Sequence, residues 1–253
     1  MRTRRSWAAP STSWSSSTAG RRSANRSGPS RSSRSRCPPG PRLRAGRRDR
    51  PPLPGRLEAQ GLEGLGRPEG FHERQVERWQ AHLAGFSFRE LPGLDEAAAW
   101  LRDRRPKSYV PGIMHGDYQF ANVMFHHGAP ARMAAIVDWE MGTVGDPLLD
   151  LAWVVMGWPD ADEDRSRSGY VDYTGMPDRA DLLERYATVS GRPVDEIDYY
   201  VILARYKMAI VLEGGYARYV QGGADNPKMA AFGDVVLTMA EKAAELAATT
   251  SLP

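Results

Sequence analysis

Between residues 115 and 122 the chain reads His-Gly-Asp-Tyr-Gln-Phe-Ala-Asn, and sixteen residues after Asn122 it reads Asp-Trp-Glu, at 138–140. Three short apolar runs surround these polar residues, at 110–114, 122–125 and 134–139. Gly128 lies between the last two runs, as is typical of short strands joined by a hairpin. We therefore expect Asn122, which begins one strand, and Asp138, which ends the next, to lie near each other at one rim.

These polar side chains suit the binding of a metal ion and a phosphate. Asn122 and Asp138 would supply two oxygen ligands of the type that Mg²⁺ uses when it keeps several waters and binds phosphates. Asp117 follows an apolar strand and is free to accept a proton from a hydroxyl or to orient it. These are the groups that phosphoryl transfer requires. A simpler explanation exists for each, because a His-x-Asp sequence near a strand end is usually structural and Asp138 could cap a turn.

Apolar stripes, together with helix-start and helix-stop signals, predict helices on both sides of this segment. The predicted helices cover residues 71–86, 94–104, 148–156, 178–190, 195–220 and 228–247. Asp146-Pro147 is a helix-start signal, and the helix that follows is apolar nearly all round, as in a buried helix. Gly214-Gly215 predicts a bend or break within 195–220. The predicted fold class is α+β, mostly α, with a small central β-hairpin insert.

One acidic residue, Asp150, lies inside the apolar helix. A buried carboxylate must be paired or hydrogen-bonded, so we expect it to accept hydrogen bonds from the segment around His115 or from its backbone N–H groups. A partly exposed aspartate is the alternative. A set of aromatic residues is expected in the core, with some members lining an acceptor pocket: Trp153, Trp158, Tyr199, Tyr200 and Tyr206.

The motif H-x-D-x-x-x-x-N, followed by an apolar strand and an aspartate, resembles the catalytic loop and metal-binding aspartate of kinases. Its particular form here is His-Gly-Asp, then Ile-Val-Asp-Trp-Glu, then Gly-Asp-Pro-Leu-Leu-Asp-Leu-Ala. That combination resembles the aminoglycoside phosphotransferase / choline kinase family. Within it, the resemblance is strongest to the phosphotransferase domains related to acyl-CoA dehydrogenase family members 10 and 11, and it covers roughly residues 57–250.

The resemblance implies a protein-kinase-like C-terminal lobe that uses ATP and Mg²⁺. Under it, Asp117 is the catalytic base and His115 braces the loop. Asn122 and Asp138 bind the metal and, through it, the nucleotide, while Glu140 touches a second metal ion or its water. The acceptor would be a hydroxyl of a small molecule, such as an aminoglycoside, a hydroxyacyl-CoA or a similar metabolite.

Residues 1–56 differ in kind from the rest of the chain. They contain fifteen Arg, twelve Ser, eight Pro, no Lys and one acidic residue, a net charge of +14, whereas the whole chain carries +3, which leaves −11 for residues 57–253. Too few apolar residues are present to offset the entropy of ordering, so disorder is predicted. A nucleic-acid-binding tail, a transit peptide and GC-rich DNA read in an unintended frame all produce this composition, and we favour the last.

Two classes of protein are excluded by composition. The single cysteine cannot form an internal disulfide framework or a cysteine-rich zinc site. No apolar stretch approaches the roughly 20 residues of a membrane-spanning helix, so we expect a soluble, cytoplasmic protein with no membrane partner.

A kinase of this type has an N-terminal lobe whose lysine pairs with the nucleotide phosphates. The first lysine here is Lys107, only ten residues before Asp117, and residues 1–56 contain no strand pattern. We therefore expect the N-lobe to be absent or replaced by disorder. The chain would then be inactive, bind Mg²⁺–nucleotide weakly, or have its true N-lobe in another reading of the gene. The uncovered face would be apolar and would favour a homodimer.

Two other functions remain open. A metal-dependent phosphohydrolase using His115, Asp117 and Asp138 would need no ATP, but it leaves Asn122 and the Asp-Pro helix without a role. A non-enzymatic module that binds nucleic acid through its basic N-terminal segment ranks last, because the acidic remainder would oppose such binding.

Overall fold

A computed structural model describes residues 61–62, 64–128, 130–159 and 171–252 of the chain. The predictions for residues 1–56 lie outside the described residues. Six helices run through the described part: α1 (Phe71–Ala84), α2 (Leu94–Asp103), α3 (Leu148–Val155), α4 (Arg179–Ser190), α5 (Ile197–Val220) and α6 (Phe232–Thr249). Four short strands lie between α2 and α3: β1 (Gly112–Met114), β2 (Val123–Phe125), β3 (Met133–Ile136) and β4 (Thr143–Gly145). This arrangement is the α+β, mostly helical architecture that the sequence predicts.

The four strands form two antiparallel pairs, one enclosing the other in sequence. The inner pair is the predicted hairpin of β2 and β3, with Val123 opposite Ile136. The outer pair joins β1 to β4, with Ile113 opposite Val144. The sequence did not predict β4, a three-residue strand of Thr-Val-Gly whose ladder partner lies about thirty residues earlier in the chain. Because β1 and β4 pair, the whole polar segment between them is closed into one loop region.

Helix α5 forms the centre of the hydrophobic core and packs against α1, α2, α3 and α6. More than half of its residues are buried, as expected of a helix surrounded by others on several sides. The expected core aromatic residues are all buried: Trp153, Trp158, Tyr199, Tyr200 and Tyr206. Helices α3 and α5 pack against each other within this core.

The predicted break at Gly214-Gly215 is wrong, since α5 runs uninterrupted from Ile197 to Val220. Both glycines instead face aromatic rings. A Cβ on Gly214 would lie 3.1 Å from the Phe86 ring, and one on Gly215 would lie 3.1 Å from the Phe232 ring. Close packing of neighbouring segments, and not backbone freedom, thus explains why glycine occupies these positions.

Within the described ranges, no helix combines the length and the apolar character needed to cross a membrane.

Candidate functional site

The segment from His115 to Gln119 forms a tight loop between β1 and a 3₁₀-helical turn at Phe120–Asn122. Gly116 allows this path because its φ is +82°. A Cβ at this position would also lie 2.5 Å from the carbonyl oxygen of Met141, far inside contact distance. Glycine is therefore required at the residue immediately before Asp117, both for its conformation and for the close approach of another backbone.

The carboxylate of Asp117 is held by two side-chain amides. Its Oδ1 accepts a hydrogen bond of 2.9 Å from Nε2 of Gln119, and its Oδ2 accepts one of 3.0 Å from Nδ2 of Asn122. The same Asn122 nitrogen also donates to the backbone carbonyl of Asp117, at 2.9 Å. The structure thus brings Asp117 and Asn122 together. Gln119 was not singled out from the sequence, although its amide completes the pair that fixes this carboxylate.

His115 links the loop to the end of the hairpin. Its ring is buried and lies 4.8 Å from the Trp139 ring, centroid to centroid. Nε2 lies 2.8 Å from the carbonyl oxygen of Val137, an arrangement that places the ring proton on Nε2. Nδ1 is then free to accept from the backbone N–H of Asp117, at 3.3 Å. Both ring nitrogens are engaged by backbone groups, so the imidazole is occupied in holding the loop.

Asp138 lies two residues beyond the end of β3, and not at its last residue as the sequence suggested. Its φ of 66° is the only positive value among the described non-glycine residues. Such a left-handed conformation is tolerated by aspartate and ends the strand by turning the chain. The backbone N–H of Val137 donates to the carbonyl of Asn122 at 2.9 Å, so Asp138 directly follows the residue that pairs with Asn122. Asn122 and Asp138 therefore share one rim of the hairpin.

The oxygen donors at this rim suit Mg²⁺ better than a metal ion that takes all of its ligands from protein side chains. Asn122 uses its amide nitrogen on Asp117, which leaves its amide oxygen as a metal donor. Asp138 and Glu140 are exposed. Among the described residues, no group of three or more His, Cys, Asp or Glu side chains is placed to hold a metal ion. An amide oxygen and one or two carboxylates, with water and phosphate completing the shell, is a pattern that suits Mg²⁺.

Asp150, in the first turn of α3, accepts two hydrogen bonds from the backbone of the loop. Its Oδ2 accepts from the backbone N–H of His115 at 2.6 Å, and its Oδ1 from that of Gly116 at 2.8 Å. The prediction that this carboxylate binds the loop is confirmed. Burial raises the pKa of Asp150, and the two hydrogen bonds from the backbone oppose that rise.

A second buried carboxylate, Asp146, was recognised from the sequence only as a helix-start residue. It does accept from the backbone N–H of Leu148 at 3.1 Å, and is fully buried. Its Oδ2 also accepts from the hydroxyl of Tyr200 at 2.6 Å and lies 3.1 Å from Nε2 of His72. Asp146 thus joins α1, α3 and α5. Partners so distant in sequence leave no local signal by which they could be predicted.

An apolar pocket of about 720 Å³ adjoins the loop. Its walls come from the loop, the hairpin, α3 and α4. Residues that line it include Tyr118, Gln119, Ile136, Trp158, Arg185 and Tyr186. Because Gln119 also donates to Asp117, the pocket reaches the immediate surroundings of that carboxylate. Trp158 alone of the five aromatic residues discussed above lines it.

Apolar side chains around the strands are left exposed on the surface of the described part. We call this the hairpin surface, and it consists of Ile113, Met124, Phe125, Met133, Val137, Trp139 and Met141. Each of these side chains is more than a third exposed. Four of them, Ile113, Phe125, Met133 and Trp139, also line the pocket.

Comparisons with known proteins show the family to which this chain belongs. The profile of the Phosphotransferase enzyme family matches residues 53–185, more than half of the chain. Acyl-CoA dehydrogenase family member 11 of Gallus gallus is 31% identical over 198 residues, which are 75% of this chain and 25% of that protein. The Homo sapiens protein of the same name is 27% identical over 77% of this chain and 25% of its own length. The chain therefore spans about a quarter of these relatives.

A solved structure of another protein is also similar to this chain. The crystal structure of a candidate aminoglycoside phosphotransferase from Ralstonia eutropha JMP134 superimposes with a TM-score of 0.67 at 30% identity. The match covers 76% of this chain and 60% of that one. With the loop, the hairpin and the supporting aspartate in place, the family match shows that this chain belongs to the phosphotransferase enzyme family.

Proposed function

We propose that this chain carries the catalytic lobe of a phosphotransferase that moves a phosphoryl group from Mg²⁺–ATP to the hydroxyl of a small molecule. The observation that carries the proposal is the carboxylate of Asp117, held by the amides of Gln119 and Asn122 beside a large pocket. Catalysis of phosphoryl transfer consists mainly of positioning and of charge stabilisation, and a fixed carboxylate beside an acceptor pocket supplies the first of these.

Asp117 acts as the base in this proposal. One side-chain amide occupies each of its oxygens, and each oxygen keeps a further lone pair for the acceptor hydroxyl. The hydroxyl oxygen forms a bond to the γ-phosphorus as the bond from that phosphorus to the leaving ADP oxygen breaks. The hydroxyl proton passes to Asp117. His115 takes no part in the proton transfer, because both of its nitrogens bind backbone groups.

In this proposal Asn122 and Asp138 would hold the metal, and Glu140 would bind a second ion or its water. When bound, the metal would neutralise charge on the phosphates. The amide of Asn122 would then have a double role, since its nitrogen donates to Asp117 and its oxygen is left to bind the ion. Replacing Asn122 by aspartate would therefore remove a donor from Asp117 and place two carboxylates side by side.

The pocket favours an acceptor with an apolar body over a polycation. Its lining is mostly aromatic and aliphatic, and Arg185 is one of its charged members. Asp150, which also lines it, is occupied by two backbone N–H groups. An aminoglycoside carries several ammonium groups and would need free carboxylates, whereas a hydroxyl on an acyl chain would bury its carbon atoms against these walls. We therefore favour a hydroxyacyl compound, such as a hydroxyacyl-CoA, over an aminoglycoside.

Transfer at a useful rate also requires a lobe that clamps the nucleotide phosphates, and we propose that this lobe covers the hairpin surface. The exposed apolar side chains of that surface support the proposal, since water would otherwise meet them.

Titration of Mg²⁺–ATP into the full chain, followed by calorimetry, tests the proposal. Asp138→Ala should abolish binding, whereas Asp95→Ala, which removes an exposed acid from α2, should leave it unchanged. Asp117→Asn should retain binding but lose transfer to a hydroxyacyl acceptor by at least about 100-fold. Equal binding by both alanine variants would refute the metal site. Hydrolysis of an aryl phosphate with Mn²⁺ in the absence of ATP would favour the phosphohydrolase instead.

A further inference from the structure

Lys207 is a buried cation close to the catalytic loop. It lies in the middle of α5 with 6% of its surface exposed. Its ammonium lies 5.4 Å from the Trp79 ring centroid and 5.1 Å from that of Trp153. Burial lowers the pKa of Lys207 to about 8, and the charges of Asp117 and Asp150 oppose the decrease. The position is costly for an amine, and a methionine of similar volume would fill the space without this penalty.

The group that Lys207 contacts explains why an amine occupies this position. Nζ donates to the carbonyl oxygen of Gly116 at 2.7 Å, across 91 residues of sequence. The N–H of the same glycine donates to Asp150 Oδ1 at 2.8 Å. Gly116 is thus held at both of its backbone groups, by α3 on one side and by α5 on the other.

Holding both groups matters because of the residue that they belong to. Glycine adopts more backbone conformations than other residues, and Gly116 has a φ of +82°. Its carbonyl belongs to the peptide bond that leads into Asp117. Rotation of that peptide would turn Asp117 relative to the pocket. Asp150 holds the preceding peptide, and Nδ1 of His115 accepts from the N–H of Asp117 at 3.3 Å. Lys207 adds the contact on the carbonyl side of the Gly116–Asp117 peptide, and its 2.7 Å distance is the shorter of the two contacts to that peptide.

We propose that Lys207 is a positioning residue for phosphoryl transfer, which fixes the peptide between Gly116 and Asp117 and so aims the Asp117 carboxylate at the acceptor hydroxyl. Lys207 touches neither substrate in this proposal and acts only through the loop. The proposal rests on the proposed function for its effect on catalysis. Its effect on the loop itself does not depend on that function.

The test compares Lys207→Met with Lys242→Met in the full chain. Methionine is an unbranched side chain of similar volume that lacks the donor, and Lys242 is an exposed lysine of α6. For Lys207→Met we expect kcat to fall by about 10-fold to 100-fold while the KM for Mg²⁺–ATP stays within about 2-fold, because misorientation affects the reacting groups more than nucleotide binding. Lys242→Met should change neither.

A second readout is amide hydrogen exchange, which needs no activity. Exchange at the N–H groups of residues 115–119 should become faster in Lys207→Met, with α5 and α6 unchanged. An unchanged kcat in an active enzyme would overturn the proposal, and so would faster exchange spread evenly over the core, because the role would then be structural only. If the wild-type chain shows no transfer, the proposed function fails, and unchanged exchange at residues 115–119 would overturn the role of Lys207 separately.

Discussion

Replacing Asp150 by alanine measures how strongly the loop from His115 to Gln119 depends on α3. The variant loses two hydrogen bonds, of 2.6 and 2.8 Å, and leaves the N–H groups of His115 and Gly116 without their acceptor. Hydrogen bonds to a charged acceptor contribute about 1.5–3 kcal/mol each, so the gross loss is about 3–6 kcal/mol. Removing the carboxylate also removes its desolvation cost, which is large enough to raise its pKa. We therefore expect the free energy of unfolding to fall by about 2–4 kcal/mol.

Urea unfolding of the full chain, followed by far-ultraviolet circular dichroism, measures this difference. With an m-value of about 2 kcal/mol/M, the midpoint should fall by about 1–2 M. Asp150→Asn keeps one acceptor oxygen and should lose about half as much. Asp95→Asn is the matched control, since Asp95 also lies in the first turn of a helix but is exposed, and its loss should stay below about 1 kcal/mol.

The pH dependence of the same measurement tests the balance between burial and hydrogen bonding. Burial raises the pKa of Asp150, so the folded chain holds this proton more tightly than the unfolded chain does. The stabilisation is complete below the unfolded pKa of about 3.9 and is lost as the pH rises through the higher folded value. The stability of wild type relative to Asp150→Asn should therefore decrease over that window. If that relative stability instead increased with pH, desolvation would not be the dominant effect on the pKa of Asp150. If Asp150→Ala were as stable as wild type, the two hydrogen bonds to Asp150 would not stabilise the fold.

Three further predictions concern the core, the loop and the surface. Arg89 forms an ion pair with Glu213, whose side chain is 1% exposed. Arg89→Met leaves that buried carboxylate without its partner, so the free energy of unfolding should fall by about 3–5 kcal/mol. The Arg89→Met/Glu213→Gln double variant should recover stability. Gly116→Ala should destabilise the chain and abolish Mg²⁺–ATP-dependent transfer, whereas Gly128→Ala, at a φ of +95° with no atom within 4 Å of the added carbon, should cost only about 1 kcal/mol of backbone strain. The hairpin surface should make the chain self-associate in analytical ultracentrifugation, and Met124→Lys should shift it toward monomer; a wild-type chain that sediments as a monomer would contradict this.

The sequence predicted the features that have a local period or a local motif. Apolar stripes located α1, α5 and α6, whereas start and stop signals located α2, α3 and α4. Gly128 and Pro130 located the β2–β3 hairpin. Asp150 could be assigned to the loop because a carboxylate in an apolar helix needs donors, and an adjacent loop has free N–H groups. The H-x-D-x-x-x-x-N spacing brought Asp117 and Asn122 together, because a 3₁₀ turn at Phe120–Asn122 returns the amide to the carboxylate.

Features that depend on distant partners could not be predicted in this way. β4 is three residues long and owes its existence to β1. A helix start fully accounts for an aspartate at position 146, so its hydrogen bonds with His72 and Tyr200 could not be predicted. Gly214-Gly215 predicted a bend or break because glycine weakens helices, but α5 is unbroken there and aromatic rings pack onto both glycines.

Gly116 belongs to the local His-Gly-Asp motif and also contacts two residues that are distant in sequence. His-Gly-Asp is only three residues, and an unrestrained glycine would let the backbone before Asp117 adopt several conformations. The backbone of Gly116 is held by Asp150 on α3 and Lys207 on α5, two helices that the core already holds against each other. The Asp117 carboxylate itself is held by the amides of Gln119 and Asn122. The motif is therefore most informative where the chain also has a buried carboxylate and a buried amine that hold its glycine. The Asp-Pro-Leu-Leu-Asp segment contains that carboxylate, Asp150, and so adds support to the family assignment that His-x-Asp alone does not give.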